Sequence, residues 1–386
     1  MLGLWLNLNC CGINPFMLPF EDTLIYRGFI LLFYFGSWLK NYWGPARLLQ
    51  SHAILIGLSL YIGFFITRVL LPKFYTLLPS DRGREFTLSK EVSKGKPTGS
   101  GVVFITIFSI LALIFTPFDY LQVGIIILTW LMMLTGYLDD RSTNGWGEYI
   151  KAFLDLVIAV AASLLMYKYL SDISPDGKLY FWIPFFTHPI YVSPWIFISA
   201  TVIMLWLSVN TTNCTDGVDG LSSTLVVAAL ITLGAVFYLI LGNVDISKYL
   251  LVPHLQDGAS WAVLCFCLAG VLMGYLWHNA FPSSVLMGDA GSRALGFFIG
   301  VCVMISGNPF MIFATSTIIS INGGVGLVKV ALKRFLHISI FENTRFPLHD
   351  HMRKNLGWSP TQVVIKFLIM QLLITVVILG IFFKVR

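Results

Sequence analysis

The sequence predicts an all-α, polytopic integral membrane protein with about ten transmembrane helices. Of its 386 residues, 57% are hydrophobic and 11% are charged, whereas about 25% of the residues in an ordinary soluble domain are charged. Apolar runs recur along the chain, and most approach the roughly 20 residues that a helix needs to cross about 30 Å of hydrocarbon. Lys and Arg concentrate in alternate loops between these runs. Together these observations are typical of a protein that crosses the bilayer many times.

The apolar runs place ten predicted spans in order along the chain. Each run is nearly free of charge inside and meets polar, glycine or proline residues at its ends, as a membrane-crossing helix requires. The predicted spans are 51–72, 101–116, 118–138, 151–170, 192–209, 221–242, 258–277, 294–307, 309–328 and 362–384. Residues 51–386 are therefore interpreted as one transmembrane domain.

Residues 1–50 are interpreted as an N-terminal extension. Their apolar stretch LIYRGFILLFYFGSWL is interrupted by Arg27 and Gly36. The stretch therefore either lies in the membrane interface or forms an extra span. The start of the chain lacks the basic segment of a secretory signal, so the first helices are expected to direct insertion. The six cysteines include no C-x-x-C spacing, and we expect neither disulfides nor zinc.

The basic residues predict which loops are cytoplasmic. Because successive spans alternate in direction, the loops form two sets, and the set richer in Lys and Arg faces the cytoplasm. One set, with Lys151 at its edge, contains fifteen Lys and Arg, and the opposite set with the C-terminal tail contains five. The richer set comprises 73–100, 139–150, 210–220, 278–293 and 329–361.

Nearly every carboxylate that flanks a span lies in the same predicted cytoplasmic loops. A transporter or flippase would be expected to carry charge near the bilayer midplane or to have discontinuous helices. The predicted spans show neither feature, and Asp155, one turn into its helix, is the deepest clear carboxylate. The pattern favours catalytic loops at the cytoplasmic membrane surface over a path through the membrane.

Asp139 and Asp140 end the third predicted span. Adjacent carboxylates at a helix exit repel each other unless a cation or a proton sits between them, so the pair is either linked to a metal ion or has one raised pKa. The alternative is that two solvated acids mark the end of a span.

The segment DGVDG places Asp216 and Asp219 three residues apart with glycines that let a ligand approach the backbone. Its alternative is an ordinary turn.

Asp289 lies in MGDAGSR, just before another span. Ser292 is expected to cap the following helix, whose free N–H groups form an anion site. A phosphate beside this carboxylate would require a divalent cation. Mg²⁺ fits, because it takes one or two carboxylates and leaves its other positions to water and phosphates. An ordinary capped turn is the alternative.

Two basic segments also lie in the predicted cytoplasmic loops. KGKPTGSG at 94–101 lacks the Walker A pattern, so it gives no support for ATP hydrolysis. RFPLHDHMRKN places His349 and His351 around Asp350 among Arg and Lys, which favours phosphate contacts over a zinc site. Carboxylates, histidines and basic side chains at one membrane face indicate metal-assisted phosphoryl transfer on a lipid-borne substrate.

From about residue 90 onward, these segments in this order resemble the polyprenyl-phosphate N-acetylhexosamine 1-phosphate transferases. KPTGSG is similar to the family's TPTMGG, YLDD to its aspartate pair, and NCTDGVDGL to its NLTDGLDGL. NAFPSSVLMGDAGSRALG resembles NAYPAQVFMGDVGSLALG, and LHDHMRKNLGWSPTQVVIKF resembles LHHHFELKGWSETQVVVRF. The last stretch points to the phospho-N-acetylmuramoyl-pentapeptide transferase branch.

The resemblance implies a reaction and its participants. UDP-N-acetylmuramoyl-pentapeptide (UDP-MurNAc-pentapeptide) and undecaprenyl phosphate would give lipid I and UMP, with Mg²⁺ as cofactor. The protein would be a homodimer in the bacterial plasma membrane, with both chain ends outside, the site cytoplasmic and no nucleic-acid partner. A relative that uses UDP-N-acetylglucosamine, as in teichoic-acid or O-antigen initiation, is the alternative within the family. A lipid or sugar transporter is the alternative outside it.

Carried over residue by residue, the resemblance implies Asp289 as the magnesium ligand and a catalytic residue. Asp139 becomes the candidate base or nucleophile, with Asp140 beside it, and His349 completes the catalytic set. The implied substrate-binding residues are Lys94, Thr98, Lys151, Asn213, Asp216, Asp219, Asn279 and His351. Asp139 would either remove a proton from the lipid phosphate or attack first and form an aspartyl-phosphate.

The chain departs from the family pattern at three places. The family's triple histidine is His349–Asp350–His351 here, and Leu286 replaces the aromatic residue usually found before M-G-D. The family's TPTMGG is altered at Lys96, Gly99 and Ser100. These changes bear on the contacts with nucleotide and inhibitors rather than on the reaction class.

Overall fold

The computed structural model describes residues 31–81, 94–142, 145–174, 176–186 and 188–384. In these ranges the regular secondary structure is helical apart from one short hairpin and a single β-bridge between Ser80 and Pro97, which confirms the predicted all-α class. The helices are α1 Leu31–Leu39, α2 His52–Leu70, α3 Gly101–Phe115, α4 Tyr120–Arg141, α5 Glu148–Ile173, α6 Pro194–Thr215, α7 Leu221–Ala235, α8 Val244–Tyr249, α9 Gly258–Asn279, α10 Gly288–Ile305, α11 Met311–Thr315, α12 Thr317–Ile319, α13 Val325–Ala331, α14 Leu348–Leu356 and α15 Pro360–Lys384. Tight 3₁₀ turns cover Gly44–Gln50 and Leu71–Leu77, and wider π-helical turns cover Val236–Leu241, Ser320–Gly324 and Leu332–Leu336.

Within the described ranges, eight helical segments are long and apolar enough to cross a membrane. They are His52–Leu77, Tyr120–Arg141, Glu148–Ile173, Pro194–Thr215, Leu221–Leu241, Gly258–Asn279, Gly288–Ile305 and Pro360–Lys384. They coincide with eight of the ten predicted spans and confirm a polytopic membrane protein. The predicted span 101–116 is the shorter α3, which ends at Phe115 because Thr116 precedes a proline and is extended.

The predicted span 309–328 is interrupted in the structure, so the expectation that no span is discontinuous is wrong here. It is divided into α11, α12 and a π-helical turn, with a non-helical residue at Ser316 (φ −140°, ψ 28°). Hydrophobicity predicted one helix because the interruption leaves the apolar composition unchanged. The backbone groups freed at the break are bonded by polar side chains of α15, which an isolated stretch of sequence does not reveal.

Helix α10 is the centre of the bundle. It is buried along its whole length, whereas only 17% of the apolar segment of α15 is buried. Helices α4 and α6 pack along α10, and α3 and α7 also contact it. Gly136 of α4 lets the helices approach, because a Cβ there would overlap the backbone of Asp289. The first turn of α10 is therefore fixed against the last turn of α4.

A two-stranded antiparallel hairpin joins α5 to α6. Its strands are β1 Leu179–Phe181 and β2 Ile190–Val192, and Tyr180 pairs with Tyr191. The described part of the N-terminal extension consists of α1 and the 3₁₀ turn Gly44–Gln50. Residues 1–30 lie outside the described residues, so the choice between an interfacial helix and an extra span stays a prediction.

Candidate active site

An open cleft of about 390 Å³ lies where four helices end or begin at one end of the bundle. The end of α4, the start of α5, the end of α6 and the start of α10 form its walls. Its lining is almost entirely polar and consists of Asp139, Asp140, Lys151, Asn210, Asn213, Cys214 and Asp289. Five of the residues predicted from the sequence therefore share one cavity, although up to 150 positions of chain separate them.

Lys151 connects the two central carboxylates of the cleft. Its Nζ lies 2.5 Å from Asp139 Oδ2 and 3.1 Å from Asp289 Oδ2. The Lys151 side chain is 31% exposed and both aspartates are 6% exposed. The other oxygen of Asp139 accepts a hydrogen bond from the backbone N–H of Trp146 at 2.6 Å. Two acidic groups thus face one cation at an opening to solvent.

Asp140 also lines the cleft, and its carboxylate caps α10. Its two carboxylate oxygens accept the backbone N–H groups of Asp289 and Ala290, each at 3.1 Å. These are two of the N–H groups that a helix leaves unpaired at its start, and a negative charge there is favourable. The expectation that Ser292 caps this helix is wrong, because its hydroxyl donates to the carbonyl of Gly288 at 2.9 Å. Asp140 therefore orients the turn that carries Asp289.

The DGVDG turn is held by the loop between α9 and α10. Asp219 Oδ2 accepts the backbone N–H of Ser283 at 3.0 Å and lies 3.8 Å from Lys96 Nζ. Asn279 is 3% exposed, and its side chain accepts the N–H of Gly220 and donates to the carbonyl of Val285. Asn279 therefore joins the DGVDG turn to the loop between α9 and α10.

His349 packs against the same turn from the other side. It is 2% exposed, and a Cβ at Gly217 would overlap its imidazole. Its backbone N–H donates to Asn322 Oδ1 at 2.8 Å, and its Nδ1 lies within hydrogen-bonding distance of the Asn322 amide. Burial, together with the nearby charge of Arg353, lowers the pKa of His349 from 6.5 to about 3. The ring is therefore neutral at physiological pH.

The chain is similar to known proteins over most of its length. Residues 122–307 match the model of the family described as Glycosyl transferase family 4. A protein of Treponema pallidum (strain Nichols) named phospho-N-acetylmuramoyl-pentapeptide-transferase is 53% identical over 351 residues, which cover 91% of this chain and 95% of that protein. The chain belongs to the phospho-N-acetylmuramoyl-pentapeptide-transferase family. A protein of the same name from Helicobacter pylori (strain Shi470) is 31% identical over 86% of this chain and 95% of its own length.

The match to the glycosyl transferase model includes Asp139, Lys151 and Asp289 and ends before His349. His349 follows the helix break at 315–317, on α14. The family resemblance noted in the sequence continues through this later stretch. Three segments of the transferase family therefore meet at the cleft end: the aspartate pair, the turn before α10 and α14.

The remaining predicted residues are not part of the cleft lining. Lys94 is exposed, Thr98 is buried with its N–H bonded to the carbonyl of Pro79 at 2.8 Å, and Asp216 is half-buried in the DGVDG turn. His351 Nδ1 accepts the backbone N–H of Arg345 at 3.3 Å. Burial raises the pKa of Asp350, and Arg345 opposes this effect from 3.8 Å.

Sequence reasoning missed several residues of the site. Asn210 and Cys214 line the cleft, Trp146 bonds Asp139, and Asn322 holds His349. Asn210 lies three residues before Asn213 on α6, so helical spacing would have placed both on one face. The positions of Trp146 and Asn322 depend on tertiary packing, and no local pattern indicates them.

The donor set of the cleft fits a hard cation. Its acidic and amide side chains offer oxygen ligands, and an ammonium group already lies between Asp139 and Asp289. Among the described residues, no group of three His, Cys, Asp or Glu side chains is arranged to hold a metal ion. Mg²⁺ needs no such cage, since it takes one or two carboxylates and fills its other positions with water and phosphate.

Proposed function

We propose that the protein transfers phospho-N-acetylmuramoyl-pentapeptide from UDP to undecaprenyl phosphate, giving lipid I and UMP. The relatives at 53% and 31% identity carry the name of this activity. The observation that carries the proposal is the position of Lys151 between Asp139 and Asp289 at one end of a membrane bundle. Such a site admits a water-soluble sugar nucleotide while the polyprenyl chain of the acceptor stays in the bilayer.

The reaction brings two anions together, so positive charge at the site lowers its barrier. Lys151 is the described cation that lines the cleft, and it faces the space where a pyrophosphate would bind. Asp139 is placed by Lys151 and by the N–H of Trp146 at the same opening. Asp139 then either accepts the last proton of the lipid phosphate or attacks the sugar-linked phosphorus.

We also propose Mg²⁺ as the cofactor. Asp289 would be its protein ligand, with Asp139 facing the same space. When bound, the ion would neutralise charge on the pyrophosphate and on the UMP leaving group. Asp140 would keep Asp289 in place by capping α10, and Lys151 would offset the remaining repulsion between donor and acceptor.

The proposal includes the side of the membrane and the assembly. The excess of Lys and Arg in the loops around the cleft supports a cytoplasmic site, where UDP-sugars are made. The family resemblance supports a homodimer, which light scattering of the detergent-solubilised protein would test.

Replacement of the proposed metal ligand tests the function directly. Asp289→Asn should lower Mg²⁺-dependent transfer by about a thousandfold, because charge stabilisation of the leaving group is removed. Thermal unfolding in detergent should show that the variant remains folded. Asp245→Asn, an exposed acid on α8, is the control and should retain full activity. Wild-type activity in Asp289→Asn would refute the site.

Two assays separate the remaining alternatives. Transfer from UDP-MurNAc-pentapeptide should greatly exceed transfer from UDP-N-acetylglucosamine, and the reverse order would overturn the proposed donor. UMP release without lipid acceptor would assign Asp139 as nucleophile, whereas UMP release only with acceptor would assign direct attack by the lipid phosphate.

A further inference from the structure

A buried ion pair lies beneath the cleft and takes no part in the chemistry above. A guanidinium nitrogen of Arg293, on α10, bonds a carboxylate oxygen of Asp155, on α5. Arg293 is 2% exposed and Asp155 is 4% exposed. Charges at this depth are costly and usually mark function.

The pair is spaced from the cleft by one helical turn on both helices. Asp155 follows Lys151 by four residues on α5, and Arg293 follows Asp289 by four residues on α10. Residues four apart lie on the same face of a helix. The Lys151–Asp289 and Asp155–Arg293 pairs are therefore consecutive bridges between the same two helices, and the charges alternate in sign along and across them.

The packing of α5 makes the second bridge important for the first. Helix α5 packs chiefly on α4 and α6, whereas α10 lies in the centre of the bundle. Lys151 is long, flexible and partly exposed, so its position depends on where α5 begins. Asp155 and Arg293 are buried and bonded to each other, so their ion pair opposes sliding of α5 along α10. A shift of α5 would move Lys151 away from Asp139 and Asp289.

The pair is also poorly suited to a purely stabilising role. Arg293 Nη1 is buried and lacks a hydrogen-bond partner among the described residues. An unsatisfied buried donor costs stability, and buried ion pairs are often no more stabilising than apolar residues of similar size. The presence of this ion pair is better explained by the geometry that it imposes on α5 and α10.

We propose that Asp155 and Arg293 are positioning residues that hold Lys151 between Asp139 and Asp289 for phosphoryl transfer. The catalytic part of this inference rests on the function proposed above. The geometric part does not, because the position of Lys151 is measurable without substrate.

The test compares full-length protein in detergent with the double variant Asp155→Leu/Arg293→Leu. A carbodiimide joins an amine directly to a neighbouring carboxylate, so the yield of cross-links from Lys151 to Asp139 or Asp289 reports their contact. Mass spectrometry of digested protein measures that yield. The double variant should lose most of the cross-link, keep a melting temperature close to wild type, and lose about ten- to a hundredfold in kcat, with a much smaller change in KM.

Three further variants make the result specific. Arg293→Lys keeps the charge and should restore most of the cross-link and of kcat. Arg334→Gln removes the exposed ion pair with Glu148 at the start of the same helix and should change neither measurement. In a Lys151→Met background the double substitution should cause little further loss of kcat, because its effect passes through Lys151.

Each contrary result has a definite meaning. A wild-type cross-link yield in the double variant, or its thermal collapse, would overturn the positioning role. The positioning role would also be overturned if the double substitution lowered kcat by the same factor in the Lys151→Met background as in the wild type. If wild-type protein forms the cross-link but transfers no phospho-sugar, the proposed function fails, and the positioning role is still decided by the cross-link yields.

Discussion

At the scale of single residues, the two neighbouring aspartates have different surroundings and different tasks. Asp139 faces Lys151 in the cleft, whereas both oxygens of Asp140 are used by the first turn of α10. Gly288 makes this cap possible, since its φ of 67° is in the left-handed region and its missing Cβ leaves room for Asp140. The orientation of Asp289 therefore depends on a glycine and a carboxylate that do not themselves need to contact substrate.

Gly288→Ala should lower both stability and transfer activity. A Cβ at this position would overlap Asp140 Oδ2 and weaken a cap worth about 1 kcal/mol, in addition to the strain of about 1–2 kcal/mol for alanine in a left-handed conformation. Gly177→Ala is the matched control, because Gly177 has φ 66° but open space around it. A melting temperature that falls equally in both variants would contradict the role of the cap.

The burial of His349 gives a pH-dependent contribution to stability. Its pKa is about 3 in the folded protein, below the ordinary 6.5, because burial disfavours the charged ring. Between these values the unfolded chain binds a proton that the folded chain does not. The contribution of His349 to the free energy of unfolding should therefore be constant above pH 6.5 and decrease as the pH falls towards 3.

Thermal unfolding at several pH values would measure this contribution. His349→Asn should show a smaller decrease in melting temperature between pH 6.5 and pH 4 than the wild type. His351→Asn, two positions away on the same helix, is the control and should follow the wild-type dependence. Identical pH profiles for His349→Asn and wild type would show that His349 does not cause the dependence.

At the scale of helices, the break near Ser316 is held together by α15. Gln371 Oε1 accepts the N–H of Ile318 at 2.9 Å, and its amide donates to the carbonyl of Ala314 at 3.1 Å. Thr375 donates to the same carbonyl at 2.6 Å. Since hydrocarbon offers no hydrogen bonds, a helix can break within a membrane only if such groups are satisfied by neighbours.

Gln371→Leu should therefore destabilise the protein more than Thr375→Val. The first change leaves the N–H of Ile318 without its described partner, whereas the second leaves Ala314 bonded to Gln371. We expect a loss of about 1–2 kcal/mol for Gln371→Leu. Melting temperatures in one detergent would rank the variants, and the opposite ranking would mean that α15 does not brace the break.

The sequence was sufficient to predict eight of the ten spans, since apolar length alone selects helices that cross hydrocarbon. It also predicted Asp139, Lys151 and Asp289 in one site. The helix break, the capping role of Asp140 and the contact of Asn322 with His349 were not predictable. Each depends on side chains from helices far apart in the sequence, and hydrophobicity does not distinguish a continuous helix from one whose break is satisfied elsewhere.

At the scale of the whole molecule, the cleft and the hairpin are predicted to lie on opposite sides of the membrane. The loops near the cleft carry most of the Lys and Arg, so the cleft is predicted to face the cytoplasm and the hairpin to face outward. Lys354 on α14 and Lys178 beside β1 are both exposed and can carry a label. Their accessibility from each side would reveal the orientation of the entire bundle.

Single cysteines at these positions, in a background without the six native cysteines, make the measurement. A membrane-impermeant maleimide should label Lys178→Cys in intact cells and should label Lys354→Cys only after the membrane is permeabilised. Retained transfer activity would show that both variants are folded. Labelling of Lys354→Cys from outside would mean that the bundle has the opposite orientation, with the cleft out of reach of cytoplasmic sugar nucleotides. The charge asymmetry of the loops, rather than any single residue, determines this outcome, because each flanking Lys or Arg opposes translocation of its loop.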